Sequence, residues 1–186
     1  MSSLSLLGPR RRIALVALWT SVVGCGDSDA KSSTRTPVPT VVSTCDIDPS
    51  IERTPDDEDR IGDAARALVG KGPCLVDAAS RWFAAHPRAR EGGTPSGRVI
   101  VRALGILVPT LTSSARETAL DVLFESEAAG DALVRREALV GLGTVPKAVS
   151  ERLELALSGP SDAERARARE LAKALGLDLR SLATPR

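Results

Sequence analysis

The chain has 186 residues, 25 of them basic and 24 acidic, which allows one modest domain and gives no bulk pull toward nucleic acid. There is no tyrosine, and beyond Trp19 the aromatic residues are Trp82, Phe83 and Phe124. Base-stacking platforms and aromatic interface anchors are therefore nearly absent. Alanine and leucine dominate the apolar set, and aromatic or β-branched runs are scarce, which is a helical composition.

Residues 1–24 read as a leader. Arg10, Arg11 and Arg12 supply positive charge with no acid nearby, and Ile13–Val23 is an apolar run. As a helix that run spans about 16 Å, half of a ~30 Å hydrocarbon core, so it fits a signal-peptide core and not a membrane span. The run ends at Val22-Val23-Gly24-Cys25 and is followed by polar Gly26-Asp27-Ser28-Asp29. Val22–Cys25 resembles the lipobox of bacterial lipoproteins, with Val22 where leucine is usual. The resemblance implies cleavage before Cys25, acylation of Cys25, and attachment to an envelope membrane through its acyl chains. Two or more chains are what stable anchoring requires. Gly26 stands where an aspartate retains some lipoproteins at the inner membrane, so the outer membrane or periplasmic side is favoured.

Residues 25–53 are expected to be the lipidated cysteine and a flexible polar tether. Small, polar and proline residues fill 26–44, with too little apolar surface to fold alone. That segment reaches about 65 Å when extended and nearer 25 Å as a coil. Cys45 and Cys74 are the cysteines left once Cys25 is acylated. In an oxidising compartment they are expected to pair, closing a loop worth roughly 3–4 kcal/mol in the chain-entropy account. Two buried thiols are the alternative. The acidic residues from Asp46 to Asp57 do not make a calcium loop, since Ile51 stands where the sharp turn needs glycine and Asp57 where a bidentate glutamate belongs.

Residues 54–183 carry helical periodicity. Thr54-Pro55-Asp56-Asp57 reads as a helix start, with Thr54 as the cap, and Ile61, Ala65 and Leu68 follow at helical spacing. Leu75, Val76, Ala79, Trp82 and Phe83 form a second stripe stopped by Pro87, and Arg88–Gly97 reads as an exposed loop. Val99 to Leu107 begins a third helix, ended by Pro109. A capping box at Ser114–Glu117 opens a fourth. Asp131 caps a fifth, Pro146 opens a sixth, and a second capping box at Ser161–Glu164 opens a seventh, closed by Gly176. A shift of 33 residues sets Val101-Arg102 on Val134-Arg135, and Ile106 on Leu139 and Ala172. The stretch Val134–Gly143 resembles the second helix of a short bacterial HEAT-like repeat. The resemblance implies an all-α fold, a short α-solenoid of antiparallel helix pairs with a period of about 33 residues. An irregular helical bundle is the alternative.

No catalytic group assembles. His86 is the lone histidine, with no cysteine or carboxylate pair at zinc-ligand spacing, and Gly92–Gly97 lacks the lysine of a phosphate loop. No metal or cofactor is expected. Arg135, Arg136, Arg165 and Arg169 form a basic cluster, read either as a solvated face with local ion pairs or as a docking patch for an acidic partner. The expected function is that of a lipid-anchored adaptor or scaffold whose repeats bind an unnamed protein partner, not an enzyme and not a nucleic-acid binder. An accessory or assembly subunit of an envelope complex is the alternative.

Overall fold

The computed structural model describes residues 45–91, 94–129 and 131–178. The leader, Cys25 and the segment 26–44 lie outside these residues, as does the stretch 179–183. Among the described residues the fold is all-α, and no helix is long and apolar enough to cross a membrane.

The folded body begins earlier than expected. Pro49–Arg53 forms a 3-10 turn whose start is capped by Asp48, which accepts from the Ser50 amide at 2.8 Å. Ile47 and Ile51 are buried with the main core, so residues 45–53 belong to the domain and not to a tether. Helix α1 (Glu58–Val69) starts at Asp57, not Thr54. Asp57 accepts from the amides of Asp59 and Arg60, while Thr54 closes the preceding 3-10 turn. Gly72 adopts φ +65° and turns the chain into α2 (Cys74–Ala85), which ends at His86.

The expected loop at 88–97 is mostly helical. Arg88–Glu91 makes one turn, α3, and α4 runs from Pro95 to Leu107 with proline in its first turn. The α3 turn places Arg90 over the Phe83 ring, 4.3 Å from its centroid, with Glu125 at 2.8 Å on the far side. Gly97 lies against this turn. A Cβ there would come within 2.0 Å of the Ala89 carbonyl oxygen.

Helix α5 (Ser113–Ala128) is entered through Thr112, and the expected box at Ser114–Glu117 does not form, because Ser114 already lies within the helix. Helix α6 (Ala132–Gly143) is capped by Asp131 as expected, with bonds of 2.7 and 3.0 Å from the Leu133 and Val134 amides. Helix α7 (Pro146–Ser158) starts at proline. Helix α8 (Asp162–Ala174) is capped by Ser161 and ends in a Schellman turn at Gly176, φ +67°, with Leu177 donating to Ala172 and Gly176 to Lys173.

Packing places α4 between α1 and α6, with α2 and α5 behind them, and α7 pairs with α8. The repeat is legible in burial but in a different phase. A step of 34 residues superimposes the buried positions Ile100, Val134 and Ala168, then Ala103, Glu137 and Leu171, then Leu104, Ala138 and Ala172. The 33-residue register instead sets half-exposed Ile106 on buried Ala172. The cause is local: α4 and α6 approach so closely that a Cβ on Gly105 would sit 2.8 Å from the Gly141 Cα, and this contact sets the rotation of both helices.

Candidate functional site

Two cations open α4. Arg98 and Arg102 stand four residues apart on one face, and the first turn of α4 holds no acid. Cations near the positive end of a helix dipole need compensation from elsewhere. It comes from two neighbours. Arg98 meets Asp56 and Glu58, each at 2.8 Å, from the entry to α1, and Glu137 of α6 at 3.4 Å. Arg102 takes Glu137 in a two-pronged pair, 2.9 and 2.6 Å, and also bonds the Glu58 carboxylate.

The cluster is buried toward α6 and open toward α1. The side chains of Glu137 and Arg98 are 6% and 9% exposed, whereas Glu58 is 59% exposed. Hydrogen bonds to Glu137, against the opposing pull of burial, hold Arg102 above the ordinary arginine value. Burial would lower Arg98, but its bonds to Glu58, Asp56 and Glu137 outweigh it and the net direction is upward. The bonds from Arg102 and then Arg98 hold Glu58 below the ordinary glutamate range. Every charge here has a partner, so the cluster is a clamp joining α1, α4 and α6 and has no group left free for acid–base work.

Beside the clamp, α4 and α6 form an open groove of about 370 Å³. Gly105 and Gly141 make its floor, Ile106 and Val140 its walls, and Arg102, Arg136, Glu137 and Thr144 its rim. Ile106 is 47% and Val140 63% exposed, which is unusual for branched apolar side chains facing each other across a groove. Arg136 on the rim is exposed and has no acidic partner among the described residues.

The four expected docking arginines do not act as one patch. Arg136 lines this groove. Arg135 instead turns to Glu127, donating to its carbonyl at 3.0 Å with the carboxylate at 3.7 Å. Arg167, which was expected to point away, shares that carboxylate at 3.2 Å. Arg165 folds back on Asp162 and the Gly159 carbonyl at the start of its own helix. Arg169 is exposed. A second groove of about 450 Å³ runs between α5, α6 and α8, but its arginines are already engaged by Glu127.

The sulfurs of Cys45 and Cys74 lie at disulfide distance, with Cα atoms 5.7 Å apart. Arg81 reinforces the junction by donating to the Cys45 carbonyl at 3.0 Å and pairing with Asp46. His86 stacks on Trp82 and faces Glu52 at 3.6 Å, tying the 3-10 turn to the end of α2. Among the described residues no group of three or more histidine, cysteine or acidic side chains is placed to hold a metal ion. Cys25 lies outside the described residues.

Sequence reasoning missed the clamp and the groove. The signal for the clamp was Arg98 and Arg102 at four-residue spacing in the first turns of a helix without acids. The signal for the groove was Gly105 and Gly141, each inside a helical stripe where glycine is costly unless backbones approach. The chain matches no family model, no curated protein and no solved structure.

Proposed function

We propose that the chain is a lipid-anchored envelope protein whose helical domain docks a protein partner along the groove between α4 and α6. The observation that carries this reading is the pairing of exposed Ile106 and Val140 across a groove rimmed by an unpaired cation, Arg136, in a domain whose other large apolar side chains are mostly buried. Val22–Cys25 supports the anchor: acylation at Cys25 would hold the domain at the membrane, with 26–44 as a spacer. The leader resemblance favours the outer membrane or periplasmic face. An adaptor needs no catalytic group, and the saturated clamp offers none.

The test is photo-cross-linking in intact cells from Val140, with Arg60 on the exposed face of α1 as the control position. The reading expects one discrete adduct from Val140 and none from Arg60. Absence of any specific adduct from Val140 removes the groove as a docking surface.

A further inference from the structure

We propose that the occupant of the α4–α6 groove is α7 of a second copy of this chain, so that copies join head to tail. This rests on the reading of the groove as a docking surface. The groove offers two apolar walls, Ile106 and Val140, and one unpaired rim cation, Arg136. Its counterpart is the outer face of α7. Leu155 is the most exposed large apolar side chain, at 75%, and Glu151 and Glu154 lie within one turn of it. Both acids are exposed and neither has a cationic partner among the described residues. Lys147 is the basic residue at the other end of that face.

The two surfaces match in kind. One is an apolar cleft with a free positive charge, and the other is an apolar knob with two free negative charges. A leucine flanked by acids on a helix is the form in which an amphipathic helix fills such a groove. The repeat explains why this face of α7 is bare. One 34-residue step back from Leu155 stands Asp121 of α5, which Arg152 of α7 covers at 2.6 Å. Among the described residues nothing covers the equivalent place on α7. Knob and groove lie on different helices, so each copy keeps one of each after pairing. Such a contact is heterologous and extends into a chain or closes into a ring. Tethering to one membrane would raise the effective concentration toward the millimolar range, where a small contact suffices.

The test is sedimentation velocity of the full chain in a mild non-ionic detergent, up to about 0.5 mM. Wild type is expected to shift from monomer to dimer and longer species with concentration, and less so at high salt because the rim pairs are exposed. Leu155→Lys and Val140→Glu, both at exposed positions, are each expected to weaken association by about thirtyfold or more while keeping wild-type helicity by circular dichroism. An equimolar mixture of the two is expected to re-form dimers, because one intact knob meets one intact groove. Wild type that stays monomeric throughout, or folded variants that associate like wild type, overturns the proposal. If the purified chain is monomeric while Val140 cross-links a different protein in cells, self-association falls and the docking surface stands. If Val140 yields no adduct at all, the docking reading itself has failed.

Discussion

Glu137→Gln probes the clamp at its most buried member. The substitution keeps size and shape but removes the charge that two arginines share. Glu137 is 6% exposed and holds Arg102 through bonds of 2.6 and 2.9 Å, with Arg98 at 3.4 Å. Removing one partner from a buried ion pair costs about 3–5 kcal/mol, because the remaining charge is left without compensation. Here Glu58 and Asp56 still reach both guanidinium groups from the exposed side, so the expected loss falls at the low end, about 3 kcal/mol. For a domain of this size that corresponds to a fall in Tm of about 10 °C. Thermal and urea unfolding followed by circular dichroism measures it. A double change to apolar residues, Arg102→Met with Glu137→Met, is expected to cost less than Glu137→Gln alone, since it leaves less buried charge uncompensated. A loss below about 1 kcal/mol for Glu137→Gln would mean that the cluster acts as an exposed pair, and would refute the clamp.

The clamp also sets an acid limit. Arg102 and Arg98 hold the Glu58 carboxyl below its ordinary value of 4.5, so its contribution is present above that pH and is lost as pH falls through the lower folded value. Unfolding measured from pH 6 down to pH 3 should show the wild type losing stability below about pH 4.5, with Glu58→Gln giving a flatter profile. Gly141→Ala should destabilise by about 1–3 kcal/mol despite alanine's better helix propensity, because its Cβ would meet the Gly105 Cα at 2.8 Å. An unchanged or raised Tm would show that α4 and α6 can part. Opening the Cys45–Cys74 pair, 29 residues apart, should cost roughly 3–4 kcal/mol, read as a lower Tm in reductant and absent in Cys74→Ser.

Helix number and most helix ends were legible because they depend on local chemistry. Asp131, Ser161 and Gly176 act through bonds to amides and carbonyls within a few residues, which the order of residues along the chain reveals directly. The pairing of Cys45 with Cys74 was legible from count and compartment. What stayed hidden depends on tertiary approach. Thr54 and Asp57 are both competent caps, and the burial of Ile47 and Ile51 under the 3-10 turn decided between them. The repeat phase moved by one residue because the Gly105–Gly141 contact fixes how α4 and α6 face each other. Glu137 reads as a surface acid in any helical plot, and only the neighbouring helix shows that it is buried against two arginines. Arg135 and Arg167 were separated in the sequence reading for the same reason: Glu127, on α5, draws them together.

The central claim is that Cys25 anchors this domain to an envelope membrane through acyl chains. Metabolic labelling of cells with an alkynyl fatty acid, followed by membrane fractionation of wild type and Cys25→Ser, tests it most directly. The account predicts a labelled, processed wild type in the membrane fraction. It predicts that Cys25→Ser carries no label and is recovered either uncleaved or free of the membrane. A Cys25→Ser chain that is still labelled, processed and membrane-bound would contradict it.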